Sequence, residues 1–192
     1  MMDDKEYIEI QEGRSDHRID VDISTQKLVE PDLPVWTREF LEKYSEYIQE
    51  PILDIGCSGG DFLNQMRTES KFGIGMDISR TAVARTILTG LGAVHWNMEK
   101  EFPFPEKIFK TVTMFHSLEH SRKPEETLKH ITKVLKGYIC IIVPNGFPRK
   151  KEFADVSYFP ELGAFKEYFR DYEIIVAKPQ GANQWLLIAK YE

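Results

Sequence analysis

The chain has 192 residues, 42% of them hydrophobic and 29% charged, with a formal net charge of -6. That is long enough for one domain with a buried core, and too apolar for a wholly disordered chain. The negative balance argues against a general nucleic-acid binder, which needs a basic face; Arg149, Lys150 and Lys151 form the one notable basic cluster and read as a solvated loop.

In chain order, residues 1–30 are polar, with Ile8, Ile10, Ile19, Val21 and Ile23 at alternating positions that predict two short edge strands or a hairpin. The first residues are acidic and lack an apolar stretch, so they do not read as a signal peptide. Residues 1–33 are expected to join the same domain as residues 34–192. Pro31 and Pro34 punctuate the entry to a helix whose apolar positions Trp36, Phe40, Tyr44, Tyr47 and Ile48 follow the helical period.

Ile52–Ile55 lacks the alternation of a half-buried strand and suits one covered on both faces of a parallel sheet. It runs into Gly56, Gly59 and Gly60, after which Phe62, Leu63 and Met66 take up helical spacing as far as Thr68. Strand, glycine turn and helix in that order set backbone N–H groups at the carboxyl end of a central strand, where open α/β sheets bind ligands.

Phe72–Met76 follows as a second strand ending at Asp77. Ser79 caps a helix with Ala82, Val83, Ile87 and Leu88 predicted inward, closed by Gly90 or Gly92. Ala93–Trp96 predicts a third strand, Pro103 and Pro105 break the next segment, and Val112–Phe115 predicts a fourth. Pro124 opens a helix with Leu128, Ile131, Val134 and Leu135 on one face, before a fifth strand, Tyr138–Val143, stopped by Pro144. That strand is the longest apolar run and is too short to cross a membrane. The remainder predicts a helix near Tyr158–Tyr168, then strands Tyr172–Ala177 and Trp185–Ala189, antiparallel because no helix joins them.

Asp77 lies roughly twenty residues past the glycine turn, where nucleotide-binding α/β folds place an acid that accepts hydrogen bonds from ribose hydroxyls; an aspartate that only caps the turn is the alternative. Residues 116–120 contain a His-x-x-Glu-His spacing, a pattern in which two histidines on a helix share one zinc. Here it follows a strand end, and no third-ligand motif stands downstream, so no metal is expected. Cys57 and Cys140, both at predicted buried strand ends, make neither a disulfide framework nor a zinc site. Cys57 lacks a His at a recognisable spacing and reads as structural rather than nucleophilic. A reduced, cytoplasmic protein is expected.

Leu53, Asp54, Ile55, Gly56, Cys57 and Gly60 fill the first motif of the class I S-adenosylmethionine-dependent methyltransferases. From Pro34 to Asn145, and loosely beyond, the chain resembles that family, near its small-molecule, quinone-biosynthesis-like branch. Ser58 stands where the family has its middle glycine. The resemblance implies a three-layer, Rossmann-like α/β sandwich with a seven-stranded, mainly parallel sheet and an antiparallel C-terminal strand. It implies S-adenosyl-L-methionine as cofactor and S-adenosyl-L-homocysteine as product.

On that resemblance, Gly56, Cys57, Ser58 and Gly60 form the cofactor loop, and Asp54 holds the loop's N–H groups and the cofactor's ammonium. Asp77 takes both ribose hydroxyls and Ile78 lies against adenine. Asn97, where the family usually has Asp, accepts the adenine amino group, and Met98 offers its N–H to the ring. The backbone at Phe115 and His116 lines the methionine moiety. His120, or His116, is the candidate base facing the acceptor, with a histidine packed at the helix start as the alternative for His120. The helix before the first strand caps the pocket or packs on the sheet edge.

No Asn-Pro-Pro-Tyr run follows the fourth strand, which with the acidic charge favours a small-molecule acceptor over nucleic acid. Acceptor specificity is expected from the first thirty residues and from Gly146–Phe159, with Phe147, Tyr158 and Phe159 as walls. These segments are short, which leaves the pocket open or completed by a second subunit in a homodimer. Two other functions compete. An NAD(P)-dependent oxidoreductase wants Gly-x-Gly-x-x-Gly, and residues 56–61 have their glycines at other offsets. A non-catalytic relative would keep the fold and the cofactor site alone.

Overall fold

In the computed structural model, which describes residues 5–10, 33–146 and 155–192, seven strands form one sheet. They are β1 (Ile52–Ile55), β2 (Gly73–Asp77), β3 (Gly92–His95), β4 (Phe109–Phe115), β5 (Leu135–Pro144), β6 (Glu173–Pro179) and β7 (Gln184–Tyr191). Their order is β3-β2-β1-β4-β5-β7-β6. Strands β1 to β5 pair in parallel, and β7 runs antiparallel between β5 and β6. The chain lays β2 and β3 on one side of β1, then crosses to place β4 on the other. The crevice opened by that reversal, at the carboxyl ends of β1 and β4, is where such sheets bind ligands.

Helices α1 (Val35–Tyr44), α2 (Asp61–Thr68), α3 (Arg80–Leu88), α4 (Pro124–Val134) and α5 (Leu162–Glu167) accompany the sheet, with a further helical segment at residues 5–10. Successive residues of β5 serve opposite faces, as the two-residue period of a strand requires. Ile139 and Ile141 pack with Leu128, Ile131 and Val134 of α4. Cys140 and Ile142 pack with Phe40 of α1 and with Phe62, Leu63 and Met66 of α2. Burying each such side chain contributes about 1.5–3 kcal/mol, which fixes α2 on the sheet and with it the turn that precedes it.

The seven strands predicted from Ile52 onward are all present, but the expected N-terminal strands are not borne out where they are described, and several edges differ. Residues 5–10 are helical, with Tyr7 buried, so Ile8 and Ile10 do not lie in a strand; Ile19, Val21 and Ile23 lie outside the described residues. Helix α1 ends at Tyr44 and a 3-10 turn, Ser45–Tyr47, carries the chain on to Ile48. In α3 the inward side chains are Ala82, Val83 and Thr86, while Ile87 and Leu88 are exposed. A nine-residue helix covering only the thin end of the sheet has one narrow buried stripe, and Leu88 falls on the far side of it. Leu135 is a strand residue, because α4 passes into β5 without a connecting loop. Gly137 makes that passage feasible: its φ is +145°, and a Cβ there would collide with the carbonyl oxygen of Lys110. The last helix is shorter than predicted, starting at Leu162. No helix among the described residues is long and apolar enough to cross a membrane.

Candidate functional site

The turn between β1 and α2 is held by its backbone. Gly56 N–H donates to Met76 O at 2.7 Å, and Cys57 N–H reaches the same carbonyl at 3.3 Å, tying the turn to the end of β2. Gly56 has φ +76°, and a Cβ there would stand 2.5 Å from Ser117 Cβ, so conformation and space both demand glycine. Ser58 adopts φ +50°. The position that the family pattern gives to glycine is therefore left-handed here, and serine is held in it by a hydrogen bond from its N–H to Asp77 Oδ2 at 2.9 Å.

Asp77 is the other half of that clamp. Its Oδ1 accepts from Ser79 N–H at 2.8 Å, which caps the entry to α3 together with Ser79 Oγ on Ala82 N–H. Burial pushes its carboxyl up, against the pull of the N–H donors of Ser79 and Ser58. The two carboxylate oxygens together offer about four acceptor sites, and the backbone N–H groups of Ser79, Ser58 and Ile78 leave capacity toward the cavity. Asp54, at the end of β1, is fully enclosed; its Oδ1 accepts from Thr113 Oγ1 at 2.7 Å. Burial pushes it up to about 7, with the Thr113 hydrogen bond opposing and the Asp77 charge adding to the shift.

Both carboxyls border a cavity of about 700 Å³, the size of an ordinary small-molecule pocket. Gly56, Cys57, Ser58, Ile78, Asn97, Met98, Phe115, His116 and His120 border it too. Of the predicted cofactor residues only Gly60 does not; a Cβ there would meet Thr86 Cγ2 at 2.8 Å, so it seats the turn on α3. Asn97 Oδ1 accepts from Glu99 N–H at 2.8 Å, the local turn bond expected of an Asn, which leaves its second acceptor site open. The Cys57 thiol lies against Gly75, and burial pushes it well above its ordinary range, so it is inert as a nucleophile.

The far end of the cavity is made where β4 ends. Phe115 is packed edge-on by Phe40 and Phe62, with ring centroids 5.0 and 5.2 Å away. His116 has φ +56° and lies beside Trp36, ring centroids 4.7 Å apart. Its Nε2 is 2.9 Å from Gln184 Nε2, and its Nδ1 is 3.3 Å from Glu119 Oε1. Both ring nitrogens of His116 therefore face protein groups, Gln184 on one side and Glu119 on the other. His120 Nδ1 lies 3.6 Å from Asp155 Oδ1, and the His120 carbonyl accepts from Tyr7 Oη at 2.6 Å.

Several lining residues escaped the sequence reading. Tyr7, Arg85, Trp96 and Gln184 all border the cavity. Trp36 was legible only as a helical apolar position, and Gln184 carries no motif at all. The proposed acceptor walls fare differently. Phe147 lies outside the described residues. Phe159 is no wall: it is 2% exposed, packed on Phe165 and Tyr168 in the main core, and its carbonyl accepts from Trp185 Nε1 at 2.7 Å. Tyr158 does not border the cavity; it is largely exposed, and its hydroxyl bonds Asp155 O.

A seven-stranded sheet of this order, with a glycine turn and two carboxyls at its reversal, defines the class I S-adenosylmethionine-dependent methyltransferase fold. The sequence matches the methyltransferase-domain family over residues 34–175, well over half of the chain, and belongs to that family. Comparison with curated proteins finds no match. Solved structures of the same fold include a protein of Pyrococcus horikoshii OT3, with TM-score 0.68 and 15% identity, covering 85% of this chain and 94% of that one. An S-adenosylmethionine-dependent methyltransferase of Archaeoglobus fulgidus superposes with TM-score 0.63 at 22% identity, covering 82% and 93% of the two chains. Magnesium protoporphyrin IX methyltransferase of Synechocystis, crystallised with bound S-adenosylmethionine, gives 0.60 at 13% identity, covering 81% and 76%.

Proposed function

We propose that this protein transfers the methyl group of S-adenosylmethionine to a small-molecule acceptor. The observation that carries the reading is the Ser58–Asp77 clamp. A left-handed residue in the turn after β1 gives its N–H to a buried carboxylate at the end of β2, and both border the same cavity. This cradle suits a nucleoside: Asp77 for ribose hydroxyls, Ile78 and Met98 as apolar contacts for a base, and Asn97 as a neutral acceptor for its amino group. Asp54, beside the turn, suits the ammonium of the amino-acid end.

When bound, the cofactor supplies an electrophilic methyl on a positively charged sulfur. The chain's own task is then to hold nucleophile and methyl in line and to keep water out, effects worth on the order of several kcal/mol. The aromatic group of Phe115, Phe40, Phe62 and Trp36 provides the dry wall. Both nitrogens of His116 face protein groups, so it positions Glu119 and Gln184 rather than taking a proton. His120 is the residue placed toward the acceptor. Residues 1–33 belong to the same domain in this reading, because Tyr7 and Leu33 are buried at the cavity's edge.

Calorimetric titration tests the assignment. S-adenosylhomocysteine should bind at micromolar levels, about 8 kcal/mol, and NAD and NADP should not. Binding of NAD with no response to S-adenosylhomocysteine would overturn it in favour of the oxidoreductase.

A further inference from the structure

We propose that Glu119, His120 and Asp155 form a divalent-cation site in the wall of the pocket, suited to Mn²⁺ or Zn²⁺. Each offers one ligand atom, and the three atoms lie within 4.8 Å of one another. In a tetrahedral site with bonds of about 2.1 Å the ligand atoms lie about 3.4 Å apart, so side-chain rotations that close the group by about an ångström seat an ion. The side chains are 2%, 17% and 6% exposed respectively, so the group is enclosed yet reachable.

A second observation points the same way. Glu119 Oε1 faces His116, but Glu119 Oε2 is buried with no hydrogen-bond partner among the described residues. Buried carboxylate oxygens are normally satisfied by a donor or a cation. The ligand pair is also fixed from outside. Glu119 O accepts from Val156 N–H at 2.9 Å and Ser157 N–H at 3.0 Å, and Ser157 Oγ donates to Ser121 O at 2.6 Å. These bonds bring Asp155 onto the 3-10 turn Leu118–His120, and Tyr7 Oη anchors that turn from the other side.

The sequence spacing His-x-x-Glu-His thus places its first histidine on Gln184 and Glu119, and the third ligand comes from Asp155, far along the chain. One imidazole and two carboxylates form a mixed nitrogen and oxygen set, which favours Mn²⁺ or Zn²⁺ over Ca²⁺ or Mg²⁺. Glu119 and His120 border the pocket, so positions left open on the ion face the space for an acceptor. A hydroxyl or carboxylate oxygen of the acceptor fits there, and an ion lowers the pKa of a hydroxyl bound to it. That last point, an oxygen nucleophile, rests on the methyltransferase reading; the cation site does not.

The test uses the full chain, stripped with EDTA and titrated with MnCl₂ or ZnCl₂ by calorimetry, with Mn²⁺ also followed by electron paramagnetic resonance. One saturable site with a Kd near or below about 100 µM is expected. Asp155→Asn and Glu119→Gln should each weaken it at least about tenfold, with circular dichroism unchanged. If Glu119→Gln does not fold, Asp155→Asn decides alone. No saturable binding of either ion, or affinity unaltered in the folded variants, overturns the site. Titrating the same samples with S-adenosylhomocysteine separates the two claims: nucleoside binding without metal binding sinks only the cation site, and the reverse sinks only the methyl-transfer reading.

Discussion

Asp77→Asn keeps the side chain's size while removing its charge and one of its two acceptor oxygens. At present Oδ1 holds Ser79 N–H at 2.8 Å and Oδ2 holds Ser58 N–H at 2.9 Å. An amide must turn its NH₂ toward one of those two donors. Hydrogen bonds to a charged group contribute about 1.5–3 kcal/mol, so the ligand-free protein should lose about that much stability. The ribose hydroxyls lose an acceptor of the same kind. Affinity for S-adenosylhomocysteine should therefore fall about 10- to 100-fold, at about 1.4 kcal/mol per factor of ten. Urea denaturation measures the first effect and calorimetric titration of the folded variant the second. The two separate cleanly. A destabilised variant that still binds within about threefold of the parent would show that Asp77 only clamps the turn, and would refute its ribose role.

The Asp54 carboxyl, pushed up to about 7 by burial, binds its proton more tightly in the folded chain than in the unfolded one, where about 3.9 is ordinary. Its contribution to stability is thus complete below about pH 4 and is lost as pH rises through about 7. Asp54→Asn should flatten that fall in urea titrations at acid and neutral pH, and an undiminished slope would assign it elsewhere. Thr113→Val removes the hydroxyl that donates to Asp54 at 2.7 Å and should cost about 1–3 kcal/mol by thermal denaturation. Gly56→Ala sets a Cβ 2.5 Å from Ser117 Cβ at φ +76°, so a loss of at least about 2 kcal/mol is expected, several degrees in Tm for a chain of this size. Leu88→Ser should change stability by no more than about 0.5 kcal/mol, since Leu88 is exposed; a larger loss would mean that something covers α3.

The strands and the turn were readable because their causes are local. An Ile-Leu-Asp-Ile run followed by glycines can do little else than end a buried strand in a tight turn, and Ser79 caps α3 by contacts three residues away. Asp77 was readable for the same reason: it closes a strand at a fixed distance from the glycines. Helix edges were less so. Ile87 and Leu88 look inward by composition, but how much of α3 the sheet covers depends on β3 being its last strand on that side.

By itself, then, the sequence determined the order of strands and helices from β1 onward, the glycine turn and the acids beside it, since each depends on neighbours in the chain. Only the tertiary structure decided the end of the cavity beyond β4. Insertion of β7 between β5 and β6 carries Gln184 to His116, the buried Tyr7 meets the carbonyl of His120, and Phe159 is drawn into the core while Asp155 stays beside Glu119 and His120. Those contacts join residues tens of positions apart, and no periodicity or spacing encodes them, because they follow from which faces of the sheet remain to be covered once the strands have paired.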